Sequence, residues 1–237
     1  MKSVLSPPRV LRPSPLMPAT ERFVVLPSVY LGPVSYYARL MNRRCLIDLG
    51  EHFIKQTYRN RCTILSPSGR LDLIIPVAHS ARPHQPMKDV ELSPRSPWQR
   101  AHWHALRTCY DASPYFEFYA PDLEPLYRRP YRYLADFNEA LRSLLCRWLF
   151  IDGAIPTTPD YTRPLPADDC RPLMSPKRSL PDSLFRPVPY PQLFIRDRKF
   201  EADLSIVDLL FNLGPEAMLL LRRSLFGGDH AHNPTRP

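Results

Sequence analysis

The side chains best suited to chemistry are concentrated in one short run of the sequence, KQTYRNR at residues 55–61. Three of them are cationic and two are amides: Lys55, Arg59, Arg61, Gln56 and Asn60. Guanidinium and ammonium groups bind anionic oxygens, and an amide offers a donor and an acceptor together. This mixture is typical of a site for a nucleotide or a sugar phosphate. The alternative, which the residue types alone slightly favour, is a strand edge whose arginines lie in water.

Tyr30 and two histidines are the other candidates for a site. Tyr30 follows the first predicted strand, and ligands of open α/β sheets bind beyond the carboxyl ends of strands. His102 and His104 are two positions apart in a predicted helix. They therefore face different directions and cannot readily share a metal ion.

The neighbours of the two histidines indicate different roles. His102 falls on the same apolar face as Trp98, which favours a hydrogen-bonded histidine of the core. His104 lies on the polar face with Arg100 and Arg107. Two nearby positive charges favour a neutral imidazole, which could act as a base.

The elements that position these residues begin with the pattern of a βαβ unit. Short apolar runs at residues 23–26 and 45–49 predict two strands. Apolar residues at near-helical spacing over 34–41 predict a helix between them. A strand, a helix and a strand within so short a stretch imply a parallel pair.

A β-hairpin is predicted next along the chain. The turn residues Ser-Pro-Ser-Gly at 66–69 separate two strand-like runs, 61–65 and 71–77. Residues 88–92 alternate between polar and apolar types and predict a further strand.

Helices are predicted over residues 96–109, 133–150 and 205–213 from their amphipathic spacing. The first has Ser96 as its expected cap. In the third, Ser205 and Asp208 have the spacing of a capping box with Asp in place of Glu.

Together these patterns predict an α/β fold, a single mixed-sheet domain over residues 21–226 that starts with a βαβ-like unit and a β-hairpin and is flanked by helices. Residues 153–192 form a long proline-rich loop before the C-terminal helices, either a mobile lid or a packed loop. Residues 1–20 and 227–237 are expected to be disordered tails, with Met17 a candidate for the true start of translation.

The composition excludes several classes of protein. The chain has 237 residues, 44% of them hydrophobic, which is enough for a packed core, and it has no apolar stretch long enough to span a membrane. The 30 prolines against 7 glycines argue against glycine-rich phosphate loops. The formal net charge is +9, but the arginines are spread along the whole chain, so nucleic acid is not expected as a partner. The N-terminus lacks the pattern of a secretory signal, so a cytoplasmic location is expected.

The five cysteines, at positions 45, 62, 109, 146 and 170, are widely spaced and never form a CxxC motif. This pattern predicts reduced, mostly buried thiols rather than disulfides or a zinc site. No metal and no cofactor are expected.

Four stretches of the sequence match one protein family in the same order. They are LPSVYLGPVSYYARL, KQTYRNRC with the hairpin that ends in IIPV, WQRAHWHAL with SPYFEFY after it, and FEADLSIVDLLFNLGP. Through these stretches, which span about residues 23–215, the chain resembles the WbqC-like family of bacterial proteins, in the form typical of Bacteroidetes. Many members start with His-Gln-Pro-x-Tyr-Leu-Pro. Here the equivalent stretch keeps Pro27 and Tyr30 but lacks the His-Gln pair, so chemistry assigned to that pair cannot be carried over.

The resemblance implies a role in surface polysaccharide biosynthesis, because the family takes its name from a gene of O-antigen clusters. We therefore expect a transferase or modifying enzyme whose partner is a small anionic substrate, an activated, nucleotide-linked sugar. The catalytic candidates are His104, Asn60 and Tyr30, and the substrate-binding candidates are Lys55, Gln56, Arg59, Arg61 and His102. The alternative is a non-catalytic module that binds a phosphorylated ligand or a partner protein. In the enzyme hypothesis, Arg59→Ala or Asn60→Ala is expected to abolish ligand binding and leave the melting temperature nearly unchanged.

Overall fold

The computed structural model describes residues 23–78, 84–151, 153–177, 182–195 and 199–226. The strands are β1 (Val24–Pro27), β2 (Cys45–Asp48), β3 (Arg61–Ser66), β4 (Gly69–Ile74) and β5 (Thr157–Thr158). The α-helices are α1 (Val34–Asn42), α2 (Trp98–Tyr110), α3 (Phe116–Arg128), α4 (Leu134–Trp148), α5 (Ile206–Leu213) and α6 (Ala217–Arg223). The α/β class is confirmed. The two expected tails, and Met17 with them, lie outside the described residues.

Strands β1, β2 and β5 form a parallel sheet in the order β1-β2-β5, and α1 connects the first two. This confirms the predicted βαβ unit. Pro27 lies beside Asp48, and Asp48 lies beside Thr158, so all three strands end at the same side of the sheet. We call the loops that follow these three residues the carboxyl edge.

Strands β3 and β4 form the predicted hairpin, but in a sheet of their own. Gly69 closes its turn with a φ of 114°, a conformation that favours glycine. The other edge of β3 is already bonded: the Ser205 N–H donates to the Thr63 carbonyl (2.8 Å), and the Leu65 N–H donates to the Tyr110 hydroxyl (3.2 Å). These contacts take the place of a neighbouring strand. The hairpin and the parallel sheet therefore remain two sheets instead of the single mixed sheet expected.

Residues 88–92 do not form the strand that their alternation predicts. Residues Met87–Asp89 form one turn of 3-10 helix, and the Lys88 N–H donates to the Leu49 carbonyl (2.9 Å). The backbone of this segment is hydrogen-bonded to the loop after β2 instead of to a strand. The alternation of polar and apolar residues therefore reflects a half-buried loop.

Helix α5 begins where expected, but the predicted capping box is wrong. The Ser205 hydroxyl donates to the Leu31 carbonyl (2.7 Å) instead of bonding the first turn of the helix. The Asp208 carboxylate accepts hydrogen bonds from the hydroxyls of Tyr110 and Tyr190, both at 2.7 Å. Both side chains bind distant elements, and burial raises the pKa of Asp208.

Helices α2 and α4 confirm two other expected helices. Helix α2 begins at Trp98, with Pro97 instead of Ser96 in the capping position and no side-chain bond to the first turn. Gly214 ends α5 with a φ of 57°, as a glycine after a helix commonly does.

Helix α3 contains two prolines in its interior and was not expected from the sequence. Glu117, Pro121 and Pro125 are four residues apart and all exposed. The two backbone hydrogen bonds that proline cannot donate are therefore missing on the solvent side, where water can bind the free carbonyl groups. The opposite face packs against the core through Phe116, Tyr119, Leu123 and Tyr127.

The described part of the proline-rich segment is packed, in agreement with the second of the two alternatives. Cys170, Met174 and Tyr190 are buried, and the Cys170 N–H donates to the Val25 carbonyl (3.0 Å). The segment thus runs along β1.

All five cysteines are buried free thiols, as expected. None of the helices in the described ranges is long and apolar enough to cross a membrane.

Candidate active site

Asp48, the last residue of β2, organises the carboxyl edge. One carboxylate oxygen accepts the N–H groups of Gly50 (2.8 Å) and Glu51 (3.0 Å), which turns the chain after β2. The other accepts the Thr162 N–H (3.0 Å) and Nη1 of Arg171 (2.6 Å). The side chain is wholly buried, and a buried carboxylate is stable only with such donors. Asp48 therefore holds the loops after β2 and β5 together.

Arg171 is fixed between two carboxylates. Its Nη1 binds Asp48, while its Nε and Nη2 bind the two oxygens of Asp169 at 2.9 and 2.7 Å. The hydrogen bonds to Asp169 raise the pKa of Arg171. The guanidinium lies 4.8 Å from the centre of the Tyr161 ring, a cation–π distance. Arg171 thus joins the proline-rich segment to the carboxyl edge.

Arg59, a predicted phosphate ligand, forms a buried ion pair with Glu51. Its Nε and Nη2 donate to the two carboxylate oxygens at 2.9 and 2.5 Å, and Nη1 donates to the Thr57 hydroxyl (3.2 Å). Burial raises the pKa of Glu51, and the Arg59 charge acts in the opposite direction. Because these partners engage all three guanidinium nitrogens, Arg59 positions the loop that carries the predicted site.

The loop after β1 and the 55–61 segment meet, as the enzyme hypothesis requires. The Tyr30 N–H donates to the Tyr58 carbonyl (2.8 Å). Asn138 of α4 bridges the same two segments, with its Nδ2 donating to the Ser28 hydroxyl (3.3 Å) and to the Arg59 carbonyl (2.9 Å). No pattern in the sequence indicates this role of Asn138, since it depends on the packing of α4.

Asn60 and Asn138 each present a buried acceptor. The Asn60 Nδ2 donates to the Ile75 carbonyl (2.9 Å), which fixes the orientation of that amide. Within the described part of the chain, neither Asn60 Oδ1 nor Asn138 Oδ1 accepts a hydrogen bond. A buried oxygen of this kind can accept a hydrogen bond from a water molecule or from a ligand.

Tyr30 and His102 are brought together in the core. The Tyr30 hydroxyl lies 2.9 Å from His102 Nδ1 and 2.8 Å from the Tyr127 hydroxyl. Burial lowers the pKa of His102 to about 4, while a hydrogen bond with the Ile74 backbone opposes the shift. At that pKa the ring is neutral, and its Nδ1 shares a hydrogen bond with the Tyr30 hydroxyl. His102 is thus a neutral, hydrogen-bonded core histidine, the role that its apolar neighbours favoured.

The remaining predicted residues lie in different surroundings. Lys55 and Gln56 are exposed in the turn that follows Ile54. Arg61 pairs with Asp72 across the hairpin, with Nη1 and Oδ2 3.0 Å apart. His104 lies on the exposed face of α2, away from the buried Tyr30 hydroxyl.

Three exposed rings next to the carboxyl edge were missed in the sequence. His52 lies beside His84, with ring centres 4.8 Å apart, and beside Tyr161, with ring centres 6.3 Å apart and planes inclined by 29°. The sequence signal is limited to His52, which lies shortly after the predicted strand at 45–49. His52 could have been found from that position, whereas Tyr161 and His84 come from distant loops.

No three His, Cys, Asp or Glu side chains converge on a metal-binding geometry anywhere in the described ranges. The functional groups at the carboxyl edge are the carboxylates paired with arginines, the exposed side chains of Lys55 and Gln56, and the exposed rings of His52, His84 and Tyr161.

Comparisons with known proteins agree with the resemblance seen in the sequence. The model of the WbqC-like protein family matches residues 34–169, more than half of the chain. The chain is also 28% identical over 195 residues to the uncharacterised protein Rv1507c of Mycobacterium tuberculosis, covering 72% of this chain and 84% of that protein. No solved structure gives a significant match. The family match spans β2, the 55–61 segment, the hairpin and helices α1 to α4, so this chain belongs to the WbqC-like protein family.

Proposed function

We propose that this protein is an enzyme, a transferase or modifying enzyme that acts on an activated, nucleotide-linked sugar in surface polysaccharide biosynthesis. One observation carries the proposal: the loop after β1 and the 55–61 segment meet at the carboxyl edge of a parallel sheet. This is the position at which α/β folds bind nucleotides and other anionic ligands. The association of the family name with O-antigen clusters supplies the substrate class.

The charge distribution supports an anionic ligand at this edge. Glu51 would repel phosphate, but Arg59 neutralises it. Arg171 is shared between Asp48 and Asp169, so this second cluster keeps one negative charge. Lys55 is exposed on the same loop and adds a positive charge that can reach phosphate oxygens. The neighbouring amide of Gln56 can bond to sugar hydroxyls.

The proposed roles follow these positions. Lys55 and Gln56 contact the substrate, while Arg59 and Asn60 hold the loop in place from beneath. Tyr30 and His102 support the wall of the site through their shared hydrogen bond. A base at His104 would require the substrate to reach the exposed face of α2, and Arg61 would have to leave Asp72 to bind phosphate.

A non-catalytic binding module is the second candidate function. It is favoured by the burial of Tyr30 and His102 and by the engagement of Arg59 with Glu51, which commit three of the candidate groups to the core. Such a module would bind the same anionic ligand without turning it over.

The test is a thermal-shift screen of UDP-, GDP-, dTDP- and CMP-linked sugars, followed by an assay for release of the nucleotide or change of the sugar. We expect one class of nucleotide-linked sugar to raise the melting temperature of the protein and to be consumed in the assay. Lys55→Ala and Gln56→Ala should raise KM, while the matched control Lys199→Ala, at another exposed lysine, should not. Binding without turnover would favour the binding module, and the absence of any binding would contradict both functions.

A further inference from the structure

We propose that Tyr161, with His52 beside it, is the platform on which the planar base of a nucleotide stacks. This inference rests on the proposed function, because it names the part of the nucleotide-linked substrate that these rings would bind. The geometry of one exposed tyrosine carries it.

Tyr161 is exposed and yet held in place. The residue is 54% exposed, so its ring is partly open to solvent. Its hydroxyl is 3.4 Å from Nη2 of Arg171, and the next residue, Thr162, is bonded through its N–H to Asp48. The guanidinium beneath the ring is itself fixed by Asp169. The ring is therefore positioned before any ligand arrives.

Gly50 brings the Tyr161 backbone close to the loop after β2. A Cβ atom at position 50 would lie 2.3 Å from the Asp160 carbonyl carbon and 2.3 Å from the Tyr161 nitrogen. Only glycine allows two backbone segments to approach this closely. The loops after β2 and β5 thus form one surface at the carboxyl edge.

The histidine rings extend this surface. The segment around His52 pairs with the segment around Pro86: the Phe53 N–H donates to the Gln85 carbonyl (2.9 Å), and the Met87 N–H donates to the Glu51 carbonyl (2.8 Å). This pairing fixes the backbone of His52, whose ring centre lies 6.3 Å from that of Tyr161.

The chemistry of this surface fits a nucleotide. Exposed aromatic faces stack on bases of any sequence, and the guanidinium behind the Tyr161 ring supports it electrostatically. Lys55, three residues after His52, provides a cation for the phosphates. The base would lie on the rings and the phosphates towards the lysine turn.

Titration calorimetry with UDP, ADP, GDP and pyrophosphate tests the inference on the full-length protein. We expect Tyr161→Ala to weaken binding of the nucleoside diphosphates by about 5- to 160-fold, the loss that corresponds to one stacked base. Tyr161→Phe keeps the ring and removes only the hydroxyl contact with Arg171, so it should lose far less binding than Tyr161→Ala. His52→Ala should also show a smaller loss than Tyr161→Ala, and pyrophosphate binding should not change with Tyr161→Ala. The control Phe118→Ala removes another exposed aromatic ring, 74% exposed on α3, and should have no effect.

Three results would overturn the platform: no binding of nucleoside diphosphates by the wild type, unchanged binding by Tyr161→Ala, or equal loss of pyrophosphate binding. Melting curves of each variant identify any loss of fold, and Tyr161→Phe keeps the ring if Tyr161→Ala is unstable. The two proposals fail separately. If nucleotides bind and need Tyr161 but no nucleotide sugar is turned over, the platform is supported and the proposed enzyme function is contradicted. If a nucleotide sugar is turned over and Tyr161→Ala leaves its KM unchanged, the enzyme function is supported and the platform is contradicted.

Discussion

Arg59 and Glu51 form a two-bond ion pair inside the protein, with Nε and Nη2 of the arginine 2.9 and 2.5 Å from the carboxylate oxygens. The side chains are only 2% and 5% exposed. The sequence suggested that this arginine binds phosphate and can be removed without loss of stability. The pair leads to the opposite expectation, since removal of one partner leaves a buried charge without compensation.

Arg59→Met should lower the free energy of unfolding by about 3–5 kcal/mol, as breaking a buried ion pair typically does. The double variant Arg59→Met with Glu51→Met should lose less than the single one, because no charge is then left buried. Chemical denaturation measures both. The exposed Lys55→Ala is the matched control and should change stability by less than about 0.5 kcal/mol. Equal, small losses at positions 59 and 55 would contradict the buried pair.

The buried His102 makes stability depend on pH. Its pKa is about 4 in the folded protein and 6.5 in an ordinary setting. As the pH falls, His102 of the unfolded chain therefore takes up a proton at a higher pH than His102 of the folded protein. The contribution to stability is therefore complete above pH 6.5 and is lost as the pH falls from 6.5 to 4, by about 3 kcal/mol in total. Denaturation curves between pH 4 and 7 should show this slope. It should flatten in His102→Gln, and if it persists there, another group is responsible.

Gly50→Ala should destabilise the protein and move Tyr161. The new methyl group would meet backbone atoms that cannot move aside as a flexible side chain could. We expect a loss of about 1–3 kcal/mol or more, typical of overpacking. Gly153→Ala is the control: a Cβ there meets no atom of the described residues within 4 Å, so the expected cost is the strain of a φ of 85°. A smaller loss at position 50 than at position 153 would argue against the close approach of the two loops.

Tyr190→Phe should weaken the attachment of the proline-rich segment to α5. The hydroxyl donates to Asp208 at 2.7 Å in a buried setting, and loss of a hydrogen bond to such a carboxylate costs about 1–3 kcal/mol. Tyr131→Phe is a close control, because its hydroxyl is buried and has no hydrogen-bond partner among the described residues. Denaturation should find Tyr131→Phe neutral or slightly stabilising. Similar losses in the two variants would mean that the Asp208 contact contributes little.

Short-range patterns in the sequence were sufficient for the βαβ unit, the hairpin and the helices that became α2, α4 and α5. They failed where a local motif had a distant partner. Ser205 and Asp208 have the spacing of a capping box, yet they bond to Leu31, Tyr110 and Tyr190. Helix α3 was not predicted because it contains two prolines. A proline inside a helix is best tolerated where its missing hydrogen bond faces solvent, and the sequence does not specify that orientation.

The sequence by itself determined the family, the α/β class and the residues of the 55–61 run, because these depend on residue type and on neighbours a few positions away. Tertiary structure alone decided what those residues do. Tyr30 meets His102 across 72 positions, and Asp48 meets Arg171 across 123. Whether an arginine is a free ligand or half of a buried pair depends on which carboxylate the fold brings within 3 Å of it, and for Arg59 that carboxylate is Glu51.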